Sequence, residues 1–201
     1  QLPSGQVTLS QAEELSKLQP IPISPTRKKS GQEPATDAEK RYCLSRIGSL
    51  LLLGTQTMPG LSFHASRLAQ NITWLTVSDL KKANALIKYT QSLSARVTYK
   101  VPSSRNYSLW AYTDASFADK DSNHSQQGHV ILKVFGDIYN RPVIHPISWN
   151  SSREKRVVSS TLAAETVAAV SGHSRAYYYQ HILREVGDCS QIHLLVDSKS
   201  L

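Results

Sequence analysis

Three carboxylates occupy the positions in this sequence that are best suited to act together chemically. Asp114 lies near the end of Ser108–Phe117, a run that alternates with the period of a β-strand. Glu165 lies in the first turns of an Ala-rich segment that predicts a helix, and Asp197 ends a short apolar run, His193–Asp197, that predicts a buried strand. Taken alone, Asp114 is equally typical of an ordinary turn after a strand.

A parallel strand pair with a helix beside it would bring these three side chains to one end of a sheet. Carboxylates gathered there without basic partners repel one another and are costly to desolvate. A divalent cation relieves that repulsion, and carboxylate oxygens are ligands that magnesium and manganese prefer. The sequence therefore predicts a Mg²⁺ or Mn²⁺ site formed by Asp114, Glu165 and Asp197.

The elements that must position this site are a small sheet and one long helix. We expect strands at residues 108–115, 128–135 and about 143–149 to form an antiparallel meander, with a loop at 119–127. A helix from about 160 to 186 follows, and residues 191–197 return parallel to the first strand. Small residues share the helix face of Glu165, so the helix can lie close to the sheet: Ala169, Gly172 and Ala176. The fold class is therefore α/β, with a mixed sheet.

Four segments in this order resemble the ribonuclease H domain of copia-type LTR retrotransposon Pol polyproteins: YTDASFAD, SQQGHVI, ISWNSSREKRVVSSTLAAET and IHLLVDSKS. The resemblance covers roughly residues 108–201. It implies a ribonuclease H-like fold in which Asp114, Glu165 and Asp197 are the catalytic and metal-binding residues. Two Mg²⁺ or Mn²⁺ ions would serve in endonucleolytic hydrolysis of the RNA strand of an RNA–DNA hybrid. Such domains continue to a fourth carboxylate, whereas Leu201 follows Asp197 by four residues, so we expect an incomplete domain.

Polar and basic residues near the predicted strand ends are candidates for contacts to the nucleic-acid backbone. One is Ser116, and the others lie in the segment between the third strand and the long helix: Ser151, Ser152, Arg153, Lys155 and Arg156. A plain exposed basic loop is the alternative interpretation of that segment.

Residues 41–100 resemble the segment that follows the reverse transcriptase palm in the same family. Helices are predicted near residues 42–57, 61–71 and 76–93, the last with Thr76 or Ser78 as its cap and Asp79 in its first turn. Met58-Pro59-Gly60 stands where the family carries Arg-Pro-Asp. The paired aspartates of a polymerase are not in the sequence, so no DNA synthesis is assigned to it.

Residues 1–40 are predicted to be a linker, largely disordered, because four prolines and several Ser, Gly and charged residues follow one possible short helix at 10–18. Arg27-Lys28-Lys29 is interpreted as a solvated charge run.

The net charge of +8 on the 201 residues suits a polyanionic partner, and it is equally typical of basic proteins without a nucleic-acid function. The two cysteines form no metal pair or disulfide framework, no segment is apolar enough to span a membrane, and no signal peptide is visible. An intracellular setting is therefore expected, in a cytoplasmic particle or the nucleus.

Expected partners are an RNA–DNA hybrid and the rest of a Pol polyprotein. The sequence leaves open whether this is an active nuclease. The alternative is a catalytically inactive relic, or a nucleic-acid-binding or structural module derived from a retroelement polyprotein.

Overall fold

The computed structural model describes residues 5–102, 105–117, 124–188 and 190–197, which form mixed α and β structure. The chain divides into two compact units. The first, here called the N-terminal unit, is Thr8–Thr98, and the second, the C-terminal unit, is Tyr99–Leu201 with Gln1–Val7.

Helices dominate the N-terminal unit, and their bounds follow from the sequence. The elements in chain order are β1 (Val7–Ser10), α1 (Ala12–Lys17), α2 (Asp37–Gln56), α3 (Ser62–Gln70), α4 (Val77–Gln91) and β2 (Arg96–Tyr99). Short 3₁₀ turns lie at Arg27–Lys29, Pro59–Leu61 and Ile72–Trp74. The predicted helices that correspond to α2, α3 and α4 are confirmed to within a few residues at each end, while β1 and β2 pair into a two-stranded sheet.

Capping boxes begin the two longest helices of this unit. Thr36 accepts from the backbone of Glu39 at the start of α2, and the Glu39 side chain accepts from the Thr36 backbone in return. Thr76 and Asp79 make the same reciprocal pair at the start of α4, which confirms Thr76 as the cap. Behind these caps the apolar stripes of the helices meet in one core, whose fully buried leucines include Leu50, Leu53, Leu61 and Leu80.

The predicted linker differs from the structure, because residues 18–23 pack into this core. Leu18 and Ile21 are 1% and 2% exposed. Because of its prolines, this segment does not form the regular backbone hydrogen bonds of a strand pair. Amide side chains of α4 bind its backbone groups instead. Asn84 accepts from the backbone N–H of Ile21 at 2.7 Å and donates to its carbonyl at 2.9 Å, and Gln91 donates to the Leu18 carbonyl at 2.7 Å. Buried backbone groups need such partners, and here side chains distant in sequence supply them.

Arg27 also departs from the expected solvated charge run. Its guanidinium donates to both carboxylate oxygens of Glu39 at 3.0 Å and to Glu33 at 2.9 Å, and it also donates to the carbonyl of Pro34. The same Glu39 completes the cap of α2, so Arg27 fixes the start of that helix. The planar guanidinium group has five N–H donors, so it can bind several acceptors at once better than a lysine ammonium group can.

The C-terminal unit is a four-stranded mixed sheet crossed by one long helix. Its elements are β3 (Tyr107–Ser116), β4 (Gln126–Phe135), β5 (Val143–Arg153), α5 (Thr161–Glu185) and β6 (Ile192–Val196). The strand order is β5-β4-β3-β6, with β3, β4 and β5 antiparallel and β6 parallel to β3. The predicted meander and its parallel return are confirmed.

Two strands extend beyond their predicted ends. β4 begins at Gln126 rather than residue 128, and β5 continues to Arg153 rather than ending near Trp149. Gln126 pairs with Ser116 of β3 on one side and Arg153 of β5 on the other, and its side chain donates to Ser151 at 2.8 Å. The ends of β4 and β5 are strands because they pair with residues distant in sequence. Their own polar sequence therefore gave no sign of a strand.

Helix α5 lies against the sheet along its small residues, as the sequence predicts. Ser160 caps the helix by accepting from the backbone N–H of Ala163, and Ala164, Ala168, Ala169, Gly172 and Ala176 are buried. A side chain at Gly172 would overlap the Thr113 methyl group of β3. Glycine is therefore required by the close approach of helix and sheet. Every helix within the described ranges is too short or too polar to span a lipid bilayer.

Candidate functional site

Asp114 lies on β3, two residues before its end, and its side chain is exposed. It pairs with Gly128 of β4. Its neighbours Thr113 and Ala115 are buried, and Ala115 packs with Ala164 and Ala168 of α5. Because side chains alternate along a strand, Asp114 belongs to the exposed set of β3 residues.

Asp197 follows β6 directly and is also exposed. Val196, the last residue of β6, pairs in parallel register with Thr113 of β3. Asp197 therefore leaves its strand level with Asp114. A parallel pair necessarily brings the carboxyl ends of its strands to one edge of the sheet, and this register places the two aspartates there.

Glu165 approaches the same place from α5. The residue is only 8% exposed, it receives a hydrogen bond from the backbone of Ala115, and its Oε2 is buried without a partner among the described residues. Burial raises the pKa of Glu165, and the charge of Asp114 raises it further. The Ala115 hydrogen bond opposes this shift, while Asp197 adds to it. All three carboxylates therefore share one electrostatic environment.

Replacing Glu165 with Gln is expected to make the chain more stable at neutral pH, with a pH dependence of defined sign. Because the pKa of Glu165 is higher in the folded chain than in the unfolded one, the folded state binds the proton more tightly. The stabilisation that protonated Glu165 gives the folded chain is complete below the pKa of this residue in the unfolded chain, about 4.3. It is lost as the pH rises through the pKa of Glu165 in the folded chain. Urea unfolding of both proteins from pH 4 to pH 8 should show equal stabilities at the acidic end and a growing advantage for Glu165→Gln above it.

Glu185→Gln at the exposed end of α5 is the matched control. It should change the free energy of unfolding by less than about 0.5 kcal/mol at every pH. A constant difference between Glu165→Gln and the parent across this pH range would contradict the assignment of a raised pKa.

Within the described ranges, no group of three or more His, Cys, Asp or Glu side chains is arranged to hold a metal ion. Asp114 and Asp197 thus interact electrostatically with Glu165, and the cation site that they would form stays a prediction. Its chemistry nevertheless fits a hard divalent cation, since Glu165 keeps a buried oxygen for which the described residues provide no donor.

Comparison with known proteins points in the same direction as these motifs. No family model matches the chain. Two curated proteins of Arabidopsis thaliana do match it, the retrovirus-related Pol polyproteins from transposons RE1 and RE2. Each is 29% identical over 142 residues, or 70% of this chain. The chain is therefore similar to one segment of these retrotransposon Pol polyproteins. It spans only 9% of the length of either relative.

In the C-terminal unit, the predicted backbone-contact residues lie at the end of the sheet where β3 stops. Ser116 and Arg153 flank Gln126 on its two sides. Ser151 and Ser152 lie within β5, which corrects their expected place between the third strand and the long helix, and Ser151 accepts from Gln126. Lys155 and Arg156 are exposed beyond the strand, and the backbone of Arg156 donates to Glu154 at 2.9 Å.

Two half-buried polar residues near this site, each with one buried side-chain atom, gave no signal in the sequence. Gln127 lies opposite Ala115, and its Oε1 is buried with no partner in the described part of the chain. His129 lies opposite Thr113, and its Nε2 is likewise buried without a partner among those residues. Burial lowers the pKa of His129, and Arg175 lowers it further, so the neutral imidazole is favoured. A strand predicted by alternation alone does not show which polar residues face a helix.

Proposed function

We propose that this segment carries a ribonuclease H-like nuclease site that depends on divalent cations and hydrolyses the RNA strand of RNA–DNA hybrids. The observation that carries the proposal is Glu165, a buried carboxylate whose Oε2 has no partner among the described residues and whose pKa is raised by burial, Asp114 and Asp197. Perturbed carboxylates of this kind concentrate at functional sites. The antiparallel meander, the crossing helix and the parallel return support a ribonuclease H-like fold.

The donor set fits the proposed cofactor, Mg²⁺ or Mn²⁺. Asp114, Glu165 and Asp197 would hold the ions through carboxylate oxygens, the ligands that hard cations prefer. When bound, the cations supply Lewis-acid activation of water and neutralise charge on the phosphodiester. Glu165 must lose its proton to serve as a ligand, so its raised pKa makes the site weaker in acid.

Backbone recognition would come from the end of the sheet beside the carboxylates. Ser116, Arg153, Lys155 and Arg156 are exposed there and offer hydroxyl, guanidinium and ammonium donors for phosphates. Such contacts position a duplex without reading its sequence. Selectivity for RNA would come from contacts to the 2′-hydroxyl and from the shape of the hybrid.

The test is cleavage of an end-labelled RNA–DNA hybrid by the full chain in Mg²⁺ or Mn²⁺, with EDTA as the metal-free control. Double-stranded DNA and double-stranded RNA of the same sequence serve as substrate controls. We expect cleavage of the RNA strand of the hybrid alone, abolished by EDTA. Hybrid binding without cleavage in either metal would overturn the nuclease proposal and leave a nucleic-acid-binding module.

A further inference from the structure

A cluster of cationic and aromatic side chains lies on α2, in the N-terminal unit. An open cavity of about 490 Å³ is lined by one face of this helix: Ala38, Arg41, Tyr42, Ser45 and Arg46. These positions recur with helical spacing on the side away from Cys43 and Ile47, which are buried in the core. We propose that this face binds the phosphodiester backbone of a single-stranded nucleic acid.

The two arginines of this cluster have no anionic partner among the described residues. Neither Arg41 nor Arg46 makes a salt bridge there, whereas Arg27 in the same unit makes ion pairs with Glu33 and Glu39. The Nε of Arg46 is buried without a hydrogen-bond partner in the same part of the chain. A buried donor left unpaired is costly, and an oxyanion is the partner that a guanidinium binds most strongly.

The neighbouring side chains favour a nucleic-acid strand over an isolated anion. Tyr42 is 48% exposed, so its ring is accessible for a base to stack on. Ser45 is exposed beside it and offers a hydroxyl donor. Stacking aromatics alternating with cations are typical of single-strand binding surfaces. Residues 8–98 contain twelve Lys and Arg against six Asp and Glu, so a polyanion is attracted to this unit as a whole.

The test is fluorescence anisotropy of a labelled 20-nucleotide thymidine oligomer with the full chain, in EDTA, at several salt concentrations. Arg41→Gln/Arg46→Gln should weaken binding at least about tenfold at 0.1 M salt. Loss of two phosphate contacts should also reduce the slope of log K against log salt by about 1.4. Tyr42→Ala should weaken binding at least about fivefold, while Tyr42→Phe should bind like the parent.

Lys81→Gln/Lys88→Gln removes the same charge from the exposed surface of α4 and is the matched control. It should weaken binding less than about threefold, since dispersed surface charge acts only through screened attraction. The proposal is overturned if the parent does not bind the oligomer, if the arginine double variant binds within threefold of the parent, or if the lysine control loses as much affinity. Should the double variant fail to fold, Arg41→Gln alone, at an exposed position, replaces it in the same comparison.

The proposed α2 site and the proposed nuclease site both bind nucleic acid, but they share no residues. Single-stranded DNA is not a substrate of the proposed nuclease site, and the assay contains no divalent cation. Loss of hybrid cleavage in Asp114→Asn would therefore leave the α2 result unchanged. Normal oligomer binding by the arginine double variant would in turn leave the nuclease proposal standing.

Discussion

Replacing Asp114 with Asn is expected to reduce cleavage of an RNA–DNA hybrid by at least about 100-fold. Asp114 is exposed at the end of β3 and interacts electrostatically with Glu165, so its charge belongs to the shared carboxylate cluster. Cation stabilisation of a phosphodiester reaction contributes several kcal/mol, and each 1.36 kcal/mol is a factor of about ten in rate. The amide keeps the size of the side chain but loses the ionised oxygen. Initial rates in saturating Mn²⁺ measure the effect.

The control is Asp137→Asn in the exposed turn between β4 and β5. It removes the same charge at a distance from the cluster, and we expect its rate to stay within about twofold of the parent. Urea unfolding of Asp114→Asn should show unchanged or slightly increased stability, because a like charge beside Glu165 has been removed. A fully active Asp114→Asn would exclude this residue from the site.

Leu50→Ala is expected to have the largest effect on stability, a loss of about 2–5 kcal/mol in the free energy of unfolding of the N-terminal unit. Leu50 lies in the middle of α2 and is 0% exposed, in the core that also contains Leu53, Leu80 and Ile87. Truncation removes buried apolar surface and leaves a cavity that neighbouring helices fill only in part. Thermal or urea unfolding followed by far-ultraviolet circular dichroism measures the change.

Leu52→Ala on the same helix is the matched control, because Leu52 is 45% exposed. It should cost less than about 1 kcal/mol, since alanine favours a helix and little buried surface is lost. Equal losses for the two variants would contradict the burial of Leu50, and with it the assignment of α2 to a packed core.

Much of the C-terminal unit could be predicted because its signals are local. Three local patterns each predict an element within a few residues: the alternation of Ser108–Phe117, the Ala-rich segment around Glu165 and the apolar run before Asp197. Given those elements, the handedness and order of a meander with a parallel return leave little choice. That topology is enough to bring Asp114 and Asp197 to one edge of the sheet.

Other features could not be predicted because they depend on partners far along the chain. The backbone of Leu18 and Ile21 is satisfied by Gln91 and Asn84, 73 and 63 residues away. No local pattern could show that a proline-rich segment would find those amides. The end of β5 likewise depends on Gln126, whose pairing overrides the polar character of Ser151 and Ser152.

The candidate site shows the same division. Sequence motifs singled out the three carboxylates, and the pKa of Glu165 is raised first by its burial and then by the charges of Asp114 and Asp197. The burial of Glu165, its hydrogen bond from Ala115 and the lack of a described partner for its Oε2 depend on how closely α5 approaches β3. The distance between α5 and β3 depends on the contact of Gly172 with the methyl group of Thr113, which leaves no room for a side chain at residue 172. Periodicity alone does not contain this information.

The most direct test of the three-carboxylate site is the binding of Mn²⁺ to the full chain, measured by isothermal titration calorimetry or by the electron paramagnetic resonance signal of free Mn²⁺. This readout is independent of catalysis. We predict saturable binding to the parent that weakens at least about tenfold in Asp114→Asn, Glu165→Gln and Asp197→Asn alike, and is unchanged in Asp137→Asn. Absence of saturable binding, or binding that survives replacement of all three carboxylates, would contradict the site.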